Sequence, residues 1–570
     1  MNTQVNSPKK IVIIGGVAGG MSAAARLRRL SETAEIVIFE RSGYVSYANC
    51  GLPYYLGGEI KTREGLLLQT PDSLQKRFRL DVRVQHEVTA INPEQKTVTV
   101  RDMRTNQSVE ESYDELILAV GAAPIRPRLA GLERDGVFTL RSIEDLDQID
   151  GWMHTQQPKQ AVVVGGGFIG LEVAEQLKHK GLSVTLVDSG NQVLKPLDAD
   201  MVAWVHEELT QNGITLKLNA TLSEIASPEA HPVEAGSAPP KVGWVQAGEG
   251  NPLPVDLVIM GLGVRPEIGL AQQAGLTIGQ RNGIQVNPQL QTSHPHIWAV
   301  GDAIEVTNPI SQQETLIALG GPANRQGRIV ANNIMGLTDA YNGTLGTAII
   351  RVFGLTAAST GLNEGQLKQL NKPYEAIFLH PSHHASYYPG ACRISLKVLF
   401  HPTTGVLYGA QAVGKEGVDK RMDVLATALK AGMTVRDLAE LELSYSPPFG
   451  SAKDPINLAG MMGENVLDGL MTQAQWHEVG QNNLATTQQA FQLLDVRQPE
   501  EHAKGSIPDS INIPLDQLRQ RLSELSKQTP VIAYCQSGQR SYFATRVLNQ
   551  QGFKAKNLSG AYLTWHQATK

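Results

Sequence analysis

The sequence predicts an α/β protein of roughly three to four domains, and three observations lead there. A strand, Gly-rich turn, helix and second strand occupy residues 10–40, and the same pattern returns at 160–188. The chain carries 55 glycines and 30 prolines, which suit the many tight turns of such an architecture. Its 570 residues are more than one hydrophobic core serves.

The bulk composition excludes several function classes. Hydrophobic residues make up 41% and charged residues 18%, as in ordinary globular chains. A net charge of −5 argues against a nucleic-acid partner. No apolar run approaches the length of a membrane span, so no membrane partner is expected. Near the N-terminus IVIIGG reads as a strand and not a signal core, because glycines interrupt it at once. Three cysteines cannot build a disulfide framework, and the expected compartment is the reducing cytoplasm.

In the first unit KIVIIGG is an apolar strand running into glycine, MSAAARLRRL is an Ala-rich helix, and AEIVIFE is the second strand. The turn consists of Gly15, Gly16, Val17, Ala18, Gly19 and Gly20, with Val17 where G-x-G-x-x-G has its middle glycine. Such glycines let backbone approach a pyrophosphate at a helix N-terminus. Glu40 ends the second strand, placed to accept a ribose hydroxyl, and Arg41 follows it as a further cofactor contact. In the second unit Gly165, Gly167 and Gly170 complete the motif, and Asp188 ends the next strand. A carboxylate there pairs with ribose hydroxyls and repels a 2′-phosphate. The following SGNQVLK supplies only Lys195, so NADH is expected over NADPH.

Residues 228–254, rich in Pro, Gly and Ala, predict a surface hairpin with a flexible insertion. Residues 347–460 mix strands such as RISLKVLF with the helical VDKRMDVLATALKAG, which predicts a separate α+β domain. A linker is expected over 461–480, and a small α/β domain over 481–570.

IWAVGDA (297–303) resembles the second FAD fingerprint of two-dinucleotide-domain flavoproteins, in which the aspartate, here Asp302, binds the ribityl chain. LILAVGAAP and VIMGLGVRP resemble the two domain-crossing segments of that family. Cys50 lies in SYANCGLPYY without a C-x4-C partner, since Val45 and Tyr55 hold the two positions where one would stand. Over residues 9 to about 460 the chain thus resembles the single-cysteine group of coenzyme A disulfide reductases, NADH oxidases and NADH peroxidases. That resemblance implies FAD and NADH as cofactors, a homodimer, and Cys50 as the redox thiol. It further implies that tyrosines of the C-terminal domain reach the partner's site. LSYSPPFGSAKDPIN offers Tyr445 and Lys453, and HHASYYPGA offers Tyr387 and Tyr388, between which the sequence does not choose. Tyr445 would donate a proton or clamp the leaving thiol. Arg26, Arg29, Ser46, Asn49 and Lys453 would hold coenzyme A, its phosphates suited by the cations.

LLDVRQPEEHAKGSIPDSINIPL and IAYCQSGQRS resemble a rhodanese domain, in which the loop after Cys535 curls its N–H groups around a thiolate or persulfide. Arg540 adds positive charge. Four residues separate Cys535 from Arg540, a tighter loop than the related phosphatase cradle, which favours sulfur over phosphate. Asp495 and Arg497 are expected to brace this fold. Cys392, at the start of CRISLKVLF, is expected to be a small core residue. His380, His383 and His384 are read as a cluster without nearby cysteine or acidic ligands, and no metal site is expected.

The expected architecture is therefore two Rossmann-like dinucleotide-binding domains, an α+β dimerisation domain and a C-terminal α/β rhodanese domain. The FAD-binding domain spans 1–118 and 284–342, the NADH-binding domain 119–283, the dimerisation domain 343–460. The expected activity is NADH-driven reduction of coenzyme A persulfide or polysulfide at Cys50 with release of hydrogen sulfide, Cys535 relaying sulfane sulfur. Reduction of coenzyme A disulfide, and of oxygen or peroxide, stay open as alternatives. So does a non-enzymatic redox sensor or sulfur carrier.

Overall fold

A computed structural model describes residues 8–227, 241–479 and 491–570. Of the hairpin and insertion expected over 228–254, residues 228–240 lie outside the described residues. The chain divides into two compact units. One runs up to Val193 and resumes over Gly213–Gly346; the other is Leu194–Asn212 with Thr347–Lys570.

The first unit holds two five-stranded parallel sheets. In one, Ile297–Ala299, Glu115–Leu118, Lys10–Ile14, Glu35–Glu40 and Asp81–Val84 lie side by side. In the other the order is Ile214–Lys217, Ser183–Val187, Gln160–Val164, Leu257–Met260 and Val137–Phe138. Past their first residue, Lys10 or Gln160, both central strands are apolar throughout, as strands covered on both faces are. Ile11, Val12 and Ile13 are fully buried, and each such side chain contributes about 1.5–3 kcal/mol of hydrophobic stabilisation.

The two glycine turns superimpose in their local logic. Gly15 has φ +106° and Gly165 φ +110°, and a Cβ on either would run into a carbonyl, that of Ala119 or of Gly261. Only glycine satisfies both demands. The middle position differs: Val17 has φ −115° and Gly167 φ −80°, which any residue adopts. The backbone therefore tolerates Val17, and the imperfect motif folds as the complete one does.

In the second unit an antiparallel sheet runs Ala348–Val352, Leu355–Gly361, Leu407–Gly414, Ile394–Phe400, Glu375–Leu379, with helix Val418–Lys430 packed on it. A parallel sheet follows: Gln473–Ala474, Ala555–Leu558, Val531–Tyr534, Gln492–Asp495, Ile511–Asn512. The segment expected as a linker is ordered over its described residues. Helix Pro455–Leu467, started by an Asp454 capping box and a proline in its first turn, runs into it, and Gln473–Ala474 adds an edge strand to the parallel sheet. Helix Ala199–Gln211, which lies in sequence between two strands of the second dinucleotide unit, packs instead on helix Ala561–Ala568 and on strands of the antiparallel sheet.

That helix brings charge into the second unit. Lys397 is fully buried, its Nζ 2.8 Å from Asp198, 3.0 Å from Asp200 and 2.6 Å from Glu364. Desolvation alone would lower its pKa; the three carboxylates outweigh this and hold the ammonium charged. Trp476 Nε1 donates to Asp200 at 3.1 Å, which ties in the chain leading to the parallel sheet. Removing the cation leaves three buried carboxylates facing one another. Lys397→Met is expected to cost about 3–5 kcal/mol in urea unfolding; a loss below about 1 kcal/mol would show that the cluster adds little.

Candidate active sites

The first site is a cavity of about 520 Å3 whose walls include Gly16, Glu40, Arg41, Arg141 and Asp302. Helix Ala18–Leu30 begins at it with no side-chain cap, so its first N–H groups remain as donors for an anion. Glu40 accepts from Gly16 N and Ser42 N, both at 2.8 Å; burial pushes its carboxyl up, and those two donors oppose the shift. Asp302 sits on the turn Gly301–Ala303, pushed up by burial against the pull of Arg141. Arg41 is held by Glu267, with Nη1 at 2.9 Å, and Arg141 reaches the same carboxylate at 2.9 Å. Uncapped helix, glycine cradle and buried carboxylates fit a dinucleotide: N–H donors for pyrophosphate, carboxylates for hydroxyls.

The second site repeats the device. Asp188 accepts from Gly166 N and Gly190 N, both at 2.7 Å, and helix Phe168–His179 likewise starts without a side-chain cap. A charge-assisted hydrogen bond is worth about 1.5–3 kcal/mol. Asp188→Asn is accordingly expected to lower kcat/KM for NADH by about 10–100-fold and to narrow the gap to NADPH. Unchanged NADH kinetics would remove Asp188 from the site.

Cys50 stands on the turn Asn49–Gly51 that leads into helix Leu52–Gly57, and its N–H donates to Asn49 Oδ1 at 3.1 Å. The residue is exposed to solvent, yet its thiol is partly desolvated. The thiol is pushed up by desolvation first, then by the carboxylates of Glu172 and Asp302. Asp302 belongs to the first nucleotide site and Glu172 to the first turns of the helix at the second, so Cys50 feels both. Glu172, which also accepts from Tyr54 at 3.0 Å, escaped the sequence reading. Its signal is a carboxylate two positions beyond the last motif glycine.

Of the residues expected to hold coenzyme A, Asn49 lines the cavity and Ser46, at φ +48°, donates its N–H to Gly16 O at 2.8 Å. Arg26 and Arg29 lie on helix Ala18–Leu30, and Arg328 approaches from helix Gly320–Ile334; desolvation and then Arg328 and Arg29 lower the pKa of Arg26. Arg328 was not anticipated. Lys453 is exposed on the loop before helix Pro455–Leu467. Tyr387 and Tyr445 are both exposed, and their hydroxyls lie 3.2 Å apart. Tyr388 is placed differently: its ring packs edge-on against His384, with centroids 5.6 Å apart.

Cys535 directly follows strand Val531–Tyr534 and is 1% exposed. Gly538, at φ +105°, directs its N–H at Sγ from 3.1 Å, and the buried Ser541 hydroxyl lies 3.5 Å away. Helix Gln539–Gln550 starts there, its positive end toward the sulfur. Arg497 binds Asp495 through Nε and Nη2, reaches Gln536 of the loop at 3.2 Å and stacks over Tyr562 at 4.3 Å, so it braces the cradle. Arg540 is gripped by both oxygens of Glu501, at 2.6 and 2.7 Å, a partner the sequence did not reveal.

One expectation is corrected. Cys392 is half-buried and not a core residue: its Sγ lies 3.2 Å from His383 Nδ1. The histidines do have a cysteine beside them, because His383 and Cys392 face each other at the base of one loop, His383 N donating to Cys392 O at 2.9 Å.

A family model described as pyridine nucleotide-disulphide oxidoreductase matches residues 9–327. The chain belongs to this family. The family's dimerisation domain matches 347–454, and a rhodanese-like domain matches 478–568. Coenzyme A disulfide reductase of Staphylococcus haemolyticus is 37% identical over 453 residues, 79% of this chain and 98% of that protein. The crystal structure of reduced Bacillus anthracis CoADR-RHD is 47% identical, covers 98% of each chain and superimposes with a TM-score of 0.94. An NAD-dependent persulfide reductase from A. fulgidus is 35% identical over 98% of this chain and 100% of that one, with a TM-score of 0.90. The protein is thus a flavin-dependent oxidoreductase using FAD and NAD(H), joined to a C-terminal rhodanese domain. No helix among the described residues is long and apolar enough to cross a membrane.

Proposed function

We propose that the protein is an NADH-dependent reductase of coenzyme A persulfide, or of polysulfide routed through it, that releases hydrogen sulfide. The intact cradle around Cys535, with the Gly538 N–H 3.1 Å from its sulfur, carries the reading: a reductase of coenzyme A disulfide has no use for a sulfur carrier. The A. fulgidus protein bears the name of such an activity, whereas the staphylococcal relative matches only 79% of this chain.

In this reading Cys50 thiolate attacks the inner sulfur of coenzyme A persulfide. A sulfur–sulfur bond to coenzyme A forms, the sulfane bond breaks, and hydrosulfide leaves with the electron pair. Asn49 orients Cys50. Tyr445, paired with Tyr387, supplies a proton to the leaving sulfur in the partner subunit of a homodimer, and Tyr388 packs the loop. Arg26, Arg29 and Lys453 bind the phosphates, with Ser46 and Asn49 beside them. Gly15, Gly16, Ala18, Gly19, Gly20, Glu40, Arg41 and Asp302 hold FAD; Gly165, Gly167, Gly170 and Asp188 hold NADH. When bound, these cofactors supply the two electrons that return Cys50 to its thiol. Cys535, with Arg540 at its cradle, takes sulfane sulfur from a donor and passes it to coenzyme A, whose flexible pantetheine serves as the arm.

The test is anaerobic NADH consumption and sulfide release with coenzyme A persulfide against coenzyme A disulfide. Faster turnover of the persulfide, with one sulfide per NADH, is the expected result. Turnover of the disulfide alone would overturn the proposal in favour of a thiol-maintenance enzyme.

A further inference from the structure

His383 and Cys392 oppose each other one residue beyond the antiparallel bridge Ser382–Arg393, at the base of the loop 384–391; the bridge is closed by His383 N to Cys392 O at 2.9 Å and Ile394 N to Pro381 O at 2.9 Å. Directly opposed residues of such a pair place their side chains on one face. Here that puts a thiol against an imidazole, Sγ 3.2 Å from Nδ1. The Cys392 backbone N–H also donates to Nδ1, at 3.1 Å. A peptide hydrogen cannot rotate away, so Nδ1 is the lone-pair nitrogen even though Cys392 O lies 3.2 Å from it. The ring proton is then on Nε2, which donates to His384 Nδ1 at 2.6 Å, and His384 Nε2 donates in turn to Tyr388 O at 3.3 Å. The backbone thus dictates both tautomers, and the atom left facing the thiol is a base.

A nucleophile within hydrogen-bond reach of a base, the base itself held by a third group, is the arrangement that activates cysteine in enzymes. We propose that Cys392, with His383 as its base, is a third sulfur-reactive thiol that accepts sulfane sulfur from a low-molecular-weight persulfide. The Cys392 proton moves to His383 Nδ1, which gives up the Cys392 N–H by a small turn of the ring and donates instead to Cys392 O, 3.2 Å away, and the thiolate attacks the outer sulfur of R–S–S–H. The new bond joins Cys392 Sγ to that sulfur, the old sulfur–sulfur bond breaks, and R–S⁻ leaves with the electron pair and takes the proton back from His383. No oxidant or reductant is needed. Burial first, then the neighbouring His384 and Arg421, keep His383 below the ordinary histidine value, so the ring is neutral and ready to accept near pH 7. Cys392 is half-buried.

The proposal rests on the function above only for the choice of donor. The test uses the FAD-loaded full chain carrying Cys50→Ser and Cys535→Ser, in which Cys392 is the one cysteine left of three. Two probes are applied at pH 7: iodoacetamide for nucleophilicity, and glutathione persulfide for sulfur transfer read as the mass of one sulfur atom on the Cys392 peptide. His383→Asn is the control, because its Oδ1 takes the place of Nδ1 and still accepts the Cys392 N–H. An ordinary thiol is only a few per cent ionised at pH 7, so activation leaves room for a drop of about 10-fold or more in both rates in His383→Asn. Peptide-resolved mass spectrometry on the unsubstituted holoenzyme reads the same cysteine should the double variant fold poorly. Equal rates in parent and His383→Asn, or Cys392 free of added sulfur under excess persulfide, would overturn the inference. Neither readout involves turnover at Cys50, so failure here leaves the reductase reading standing.

Discussion

Cys50→Ser is expected to cut NADH-driven turnover by about 10³-fold or more with coenzyme A persulfide and coenzyme A disulfide alike. Serine is slightly smaller than cysteine, adds no clash, and leaves the Asn49 contact to the backbone N–H in place. Its hydroxyl stays protonated and has no redox chemistry, so binding survives while the sulfur–sulfur exchange does not. The flavin absorbance of the purified variant should match the parent, which separates loss of chemistry from loss of cofactor. Desolvation, Glu172 and Asp302 raise the Cys50 pKa, so the reactive thiolate is the scarcer form at neutral pH. The rate of Cys50 alkylation in the flavin-free protein should therefore climb with pH and still be climbing beyond the ordinary thiol value. A plateau well below that value would mean that the two carboxylates do not act on the sulfur.

Cys535→Ser is expected to separate the two halves of the activity. Transfer of sulfane sulfur from an external donor to coenzyme A should fall by about 10³-fold or more, while reduction of coenzyme A disulfide stays within about twofold of the parent. The physical ground is the cradle. The Gly538 N–H, the Ser541 hydroxyl and the start of helix Gln539–Gln550 all favour negative charge on sulfur at that point, and a serine hydroxyl carries none. Transfer measured by sulfide release and by cyanide-labile sulfur on the protein would check it. Retention of full transfer activity in Cys535→Ser would move the carrier role elsewhere in the chain.

What could be read from the sequence was whatever sits close together along it. The glycine turns, Glu40 and Asp188 at strand ends, Cys50 before its helix and the Cys535 loop are each short local patterns, and local patterns survive folding. The partners of these residues are a different matter. Glu172 reaches the surroundings of Cys50 from more than a hundred positions away, and Glu501 reaches Arg540 from 39 positions away. No periodicity announces such pairs. Cys392 beside His383 is an effect of register: nine positions apart, they meet only because the loop between them closes with those two residues opposed. The stretch expected as a linker shows the reverse, since the helix end and short edge strand in it acquire their order from neighbours. Tyr387 and Tyr388 were equivalent by sequence, and the hydroxyl contact to Tyr445 distinguishes them only in three dimensions.

Helix Ala199–Gln211 sets a timetable for the nascent chain. Gln567 Nε2 donates to Ala203 O at 3.0 Å and to Glu207 at 2.9 Å, contacts that join residues about 360 positions apart in synthesis. At about 5–20 residues per second the ribosome needs roughly 20–70 s to bring the second partner out after the first. The strands on either side of the helix can pair in the meantime. The helix itself must wait, its apolar face bare, until the antiparallel sheet and then the rhodanese domain arrive to cover it. Chaperone dependence and aggregation during expression should therefore track this one segment. A chain cut after the dimerisation domain would leave the side of that helix around Ala203 and Glu207 without the cover that helix Ala561–Ala568 provides in the full protein.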